Sequence, residues 1–383
     1  MKRLSIGVGL ALLAAVALIL PFSAHAGDAD VALSVPAAPV PFIIKGKRAL
    51  AYELYIKAPC GRSIEILSVE AIDVGKGKKQ LSSMQGNDLK KHLRKPDKAV
   101  GGYVAFMWPT LEAEAKLPKA IVHRVRYRDG EAEKSVEGGS VAVSSAKPAR
   151  IDPPLRGSGW IASNGPSNDD MHHRVSVLSV NGSPYIGQRF AVDWIKFGDD
   201  GKIFRNNGKL NADWPCYGAE LLAVADGSVA DVRDGIPENR PLAKERAVPM
   251  TVGTLGGNYV VLKIGEKRHA FYAHIIPGSI RVKVGDSVKK GDVLGLLGNS
   301  GNSDAPHLHF HICEGMDFLF SEGLPYELNS YALEGRAENL EELFEKRIPW
   351  KPAAPAASVT GELMSDRDVV RFGSGDTTLN SAH

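Results

Sequence analysis

Gly298-Asn-Ser-Gly-Asn-Ser-Asp-Ala-Pro-His307-Leu-His309-Phe-His311-Ile-Cys313 runs from a glycine-rich turn into a strand. From His307 to Cys313 polar or soft residues alternate with Leu308, Phe310 and Ile312. A strand places alternate side chains on opposite faces, so His307, His309, His311 and Cys313 share one face and the three apolar residues pack the other. Same-face neighbours lie about 6.5–7 Å apart along a strand. One imidazole can then hold a metal while its neighbour sits across the water or substrate beside it.

The surroundings of that strand are also β. Strand formers separated by turn residues occur at Glu220–Ala225, Asn258–Ile264, Ala270–His274 and Asp292–Gly298. Upstream, Val175–Val180, Asn181-Gly182 and the run to Trp194 read as a hairpin, because Asn-Gly suits the two-residue turn that matches strand twist. Before it, Ala49–Ile56, Ser63–Ile72, Tyr103–Pro109 and Val122–Tyr127 predict a second β unit, a sandwich of immunoglobulin-like type. Polar Lys76–Lys98 is expected to be a long loop, Ala337–Lys346 a short helix, and polar, Pro/Ala/Ser-rich Lys351–His383 a mobile tail.

The expected class is therefore all-β, with this organisation: a signal peptide at 1–26, a β-sandwich at 27–147, a linker at 148–165, a second β domain at 166–335 and a partly disordered extension at 336–383. The leader rests on Lys2-Arg3, an uncharged apolar run from Leu4 to Leu20, and Ala24-His25-Ala26 as a small-x-small cleavage site. No other stretch is long enough to span a membrane. Without the leader the formal charge falls from +3 to +1, which gives no electrostatic case for nucleic acid. Three cysteines, Cys60, Cys216 and Cys313, have no metal-type spacing. The oligomeric state stays open.

Gly298–Phe310 closely resembles the glycine-rich turn and His-x-His strand of the lysostaphin-type metalloendopeptidases. Tyr272-Ala-His274 resembles the family's Tyr-x-His strand, Val282–Gly295 its following hairpin, and Gly218–Val229 the strand after its first ligand loop. The resemblance covers roughly residues 185–315. It implies an antiparallel, barrel-like peptidase domain that binds Zn2+, with His309 as a ligand and His307 and His274 as the catalytic pair. Its substrate would be peptidoglycan peptide outside the cytoplasmic membrane, in the periplasm or beyond the cell.

The family's other metal motif is His-x-x-x-Asp. Asp193 is in place, but the residue four earlier is Arg189, whose guanidinium stays protonated and cannot ligate zinc. A replacement is available from Asp170-Met171-His172-His173-Arg174. Continuing the hairpin register from Val180 opposite Ser183 sets His172 opposite Ala191, on the face of Asp193, whereas one bulge sets His173 there. Relatives with Arg at that place resemble this chain in carrying an upstream His-Arg pair, which favours His173, with His172 the alternative. If neither replaces the ligand, the chain is a catalytically inactive relative that binds wall or regulates another hydrolase. A third reading is an exported metalloprotein acting on other peptides.

Overall fold

The computed structural model describes residues 31–59, 62–75, 77–95, 102–180 and 183–373. The leader, the Asn181-Gly182 turn, Cys60 and residues 374–383 lie outside them. Among the described residues no helix is long and apolar enough to cross a membrane.

Two four-stranded antiparallel sheets form the N-terminal unit. One orders Ala32–Ser34, Tyr52–Lys57, Tyr103–Met107 and Leu93–Arg94; the other orders Ala132–Ala142, Ala120–Asp129, Glu65–Asp73 and Gln80–Gln85. Tyr52, Leu54 and Ile56 project into the core they enclose, beside Val69, Val125 and Met107. Tyr55, on the opposite face, packs on Met171 and Ile186 of the C-terminal unit. Both faces of this strand are thus buried, which is why its alternation in the sequence is only partial. The 76–98 stretch is not simply a loop: Gln80–Gln85 is a strand and Gly86–His92 a helix, anchored by buried Leu89 and His92.

The C-terminal unit is built on one large sheet. Its strands run Ser287–Val288, Gly227–Arg233, Asn258–Gly265, Arg268–Ile275, Leu308–Cys313, Val192–Lys196, Gly157–Ser163, Asp368–Phe372, Tyr331–Arg336 and Ala357–Val359. Leu308, Phe310 and Ile312 are fully buried on the core face, as the alternation requires. Each contributes about 1.5–3 kcal/mol of transfer free energy. Trp160, Trp194 and Trp214 belong to the same core.

Three expectations fail here. Gly157–Ser163, within the supposed linker, pairs with Val192–Lys196 in the middle of the sheet. The supposed tail returns as Asp368–Phe372, with Val369 and Val370 buried between two neighbours; polar composition hid this short apolar run. The hairpin keeps the predicted register, with Val180 opposite Ser183 and Leu178 opposite Tyr185, but its strands stop there. Residues 172–175 form a turn, so no ladder sets His172 opposite Ala191. The helix expected at 337–346 is Leu340–Phe344.

Candidate metal centre

Adjacent strands deliver Asp193, His309 and His274 to one end of the sheet. Asp193 lies opposite His309, and His309 opposite Ala273, the neighbour of His274. His309 Nδ1 is 2.9 Å from Asp193 Oδ1. His307, just before its strand begins, brings Nε2 to 3.6 Å from the same oxygen. His173 reaches the other side of the carboxylate, with Nε2 3.5 Å from Asp193 Oδ2. The ligating atoms of His172, His173 and Asp193 lie within 4.8 Å of one another, His172 being exposed and the other two buried.

Hydrogen bonds on the far side of each ring fix what it presents to the centre. His173 Nδ1 donates to the Asn164 carbonyl at 2.9 Å, His274 Nδ1 to Ser300 at 2.7 Å, and His307 Nδ1 to Ala305 at 2.8 Å. In the neutral ring that tautomer leaves Nε2 as the lone-pair nitrogen. His309 is held the other way round: its Nε2 lies 3.1 Å from His311 Nδ1, and donation there frees Nδ1 to face Asp193. Several imidazole nitrogens converging on one carboxylate oxygen pair supply the donor types that divalent zinc prefers, and a bound cation would take the place of any proton shared between them.

The local backbone is built to hold this arrangement. His274 has φ 65°, a left-handed conformation costing a non-glycine residue about 1–3 kcal/mol. Its N–H donates to Gly256 O at 3.1 Å. Gly257 and Gly301 allow their turns to touch: a Cβ on Gly301 would lie 2.3 Å from Gly257 N. Asn239, from the loop after Arg233, donates to the Gly301 and Ser303 carbonyls at 2.7 and 3.0 Å. That loop therefore braces the glycine-rich turn, and Leu242 just beyond it lines the cleft.

Burial would raise the Asp193 carboxyl, but His173, His307 and His309 outweigh it and hold it well below the usual range. Burial pushes His173 down to about 4. His274 and His311 are held well below an ordinary imidazole, by burial and then by neighbouring histidines. Cys313 is a buried thiol pushed up to about 12 by desolvation, its Sγ bonded to the Gly315 carbonyl and remote from the cluster.

Arg189 does not enter the site. Its guanidinium donates to Glu53 of the N-terminal unit, Nε to Oε2 at 3.0 Å and Nη2 to Oε2 at 2.6 Å, and also to the Gly323 carbonyl at 3.1 Å. Glu322 pairs with the same guanidinium. Asn164 and Glu53 were not anticipated from the sequence. Asn164 orients the carboxylate through Nδ2 to Asp193 Oδ2 at 2.8 Å. It stands beside the Trp160-Ile161-Ala162 run that signals the adjoining strand.

The cluster opens into a cleft of about 560 Å³ walled by Leu178, Leu242, Val252, Leu255, Phe318 and Phe320. Residues 212–319 match the model of Peptidase family M23. The chain is 45% identical over 97 residues to an uncharacterized metalloprotease of Haemophilus influenzae, covering 25% of this chain and 16% of that protein. It is 41% identical over 56 residues to a peptidoglycan DD-endopeptidase of Vibrio cholerae, covering 15% and 13%. These matches span under a fifth of either relative. Among solved structures, the catalytic domain of lysostaphin from Staphylococcus simulans is similar at 22% identity and TM-score 0.21, over 34% of this chain and 88% of that one.

Proposed function

The chain carries a lysostaphin-type M23 peptidase domain, and from that premise we propose that it is an exported zinc metalloendopeptidase cleaving peptide bonds of peptidoglycan. The observation that carries this reading is His173, whose Nε2 takes a place at Asp193 that Arg189 cannot fill. The ligand set is then Asp193, His309 and His173.

Zinc held there would supply Lewis acidity, polarising the scissile carbonyl and making water acidic enough to attack it near neutral pH. The chain's own residues do the rest. His274 and His307 have rings 4.6 Å apart, with each Nδ1 committed to a backbone carbonyl. Both Nε2 atoms are then available to take the proton of the attacking water, and the protonated ring becomes a donor to the developing oxyanion or the leaving amine. Asn164 and His311 hold Asp193 and His309 in orientation. The apolar cleft walls exclude water around an extended peptide.

Purified cell wall incubated with the protein, with and without chelator, tests the proposal. Release of soluble fragments, abolished by chelator and by Asp193→Ala or His309→Ala, is the expected result. Intact activity in either variant would exclude the mechanism, and sedimentation with wall but no release would mean a binding protein instead.

A further inference from the structure

Resting on the reading of His173 as the third ligand, we propose that the N-terminal domain is a working part of the metal centre, in which Glu53 and His92 are positioning residues that aim His173. Between Asn164 and Val177 no sheet ladder holds the chain. Its internal bonds are turn contacts such as Val175 N to Met171 O at 3.1 Å. The peptidase unit fixes the start of this segment, through Asn164 on Asp193 and Gly165 N on Asp366 Oδ1 at 3.1 Å, and touches it again at Met171 and His173.

From residue 168 to 174 the other domain supplies further anchors. His92 Nε2 lies 2.7 Å from the Asn168 carbonyl. Lys91 pairs with Asp169 at 3.0 Å. Met171 packs among Tyr55, Val104 and Phe106 of that domain, together with Ile186 of its own. Arg174, next to His173 and fully buried, donates to Glu53 Oε1 at 3.3 Å and to the Met107 carbonyl at 3.2 Å, with its guanidinium over Phe106 and Trp108.

Glu53 is the junction. One carboxylate accepts from Arg174 and Arg189 together, so the residue that replaces the usual ligand and the turn that supplies a new one are tied to a single anion. Without that charge two buried guanidinium groups would face each other with only Glu322 nearby, and the Arg174 backbone, with His173 attached, would have to move. Within the peptidase unit His173 is held by its bond to Asn164, by Asp193 and by the edge-on packing of its ring against His309 at 4.9 Å. Its aim therefore depends on the N-terminal unit as well as on the peptidase fold.

The test measures zinc affinity by chelator competition, and the visible spectrum of the cobalt(II)-substituted protein, for full-length Glu53→Gln, His92→Phe and His173→Ala. Glu53→Gln and His92→Phe are expected to weaken zinc roughly tenfold or more, within the range typical of groups that orient ligands. Both should change the cobalt bands while circular dichroism shows an intact fold. If Glu53→Gln does not fold, His92→Phe decides alone. Folded variants with wild-type zinc affinity and cobalt bands, beside a His173→Ala variant that loses zinc, would overturn the positioning role and leave the ligand set standing. Wild-type affinity in His173→Ala would overturn the ligand set itself, and this inference with it.

Discussion

The two sides of the cleft are held by different forces. Asp193, His309 and His274 ride on neighbouring strands whose ladder hydrogen bonds fix them to one another directly. His173 rides on a turn whose position is set by side-chain contacts across a domain boundary. The first side is as stiff as the sheet, whereas the second is only as stiff as a buried charge network and a few polar anchors. Damage should therefore act differently on the two sides: on the strands through the residue removed, on the turn through partners far along the chain.

The largest effect should come from the strand side. Asp193→Ala removes the carboxylate to which three imidazoles point, and wall-fragment release together with stoichiometric zinc should both vanish, as metal analysis and a turbidity assay would record. Next comes the domain junction. Glu53→Gln leaves Arg189 and Arg174 short of their shared acceptor, a loss of about 3–5 kcal/mol for a broken buried pair, readable from urea midpoints. Its pH dependence sharpens the point. Burial raises the Glu53 carboxyl, but Arg189 and Arg174 outweigh it and hold it below its ordinary value of 4.5. The unfolded chain then binds the proton more readily, so the stabilisation is present above that value and is lost as pH falls through the lower folded one. Wild type should lose more stability than Glu53→Gln on going from about pH 5 to about pH 3. Glu322 acts in the opposite sense, because burial raises it despite Arg189.

His173→Ala should weaken zinc by at least about a hundredfold, beyond the range of groups that only orient ligands. His172→Ala, on the exposed ring, should change affinity less than about tenfold. Equal losses would mean that the turn presents both rings and is looser than the contacts of His173 imply. His311→Phe, which removes the partner of His309 Nε2 but no ligand, should cost about tenfold in zinc affinity, an effect between those of His173→Ala and His172→Ala.

The same division governs what the sequence discloses. The His307–Cys313 pattern specifies strand, face and buried apolar partners because a period of two is local. Asp193 and His274 were legible from their motifs. His173 was reached as one of two candidates, and the register that favoured His172 failed because the hairpin ends at Leu178 and gives way to a turn. Glu53 could not be found: a lone Glu in a strand looks like a solvated position until Arg189 and Arg174, more than a hundred residues away, are brought onto it. The Asp368–Phe372 strand was hidden for a related reason. Five residues in a polar, proline-rich context carry too little signal, and their burial depends on a gap left by other strands.

That late strand also sets an order of assembly. Gly157–Ser163 is flanked on one side by Val192–Lys196 and on the other by Asp368–Phe372. Asp366, just before the latter, fastens the loop that leads from Asn164 to His173. A chain made from its N-terminus outward therefore carries Asp193, His309 and His173 long before residues 366–372 exist to hold the loop. Until that strand is added, the loop before His173 lacks its Asp366 anchor, and the proposed ligand set is fully braced only once residues 366–372 have joined the sheet.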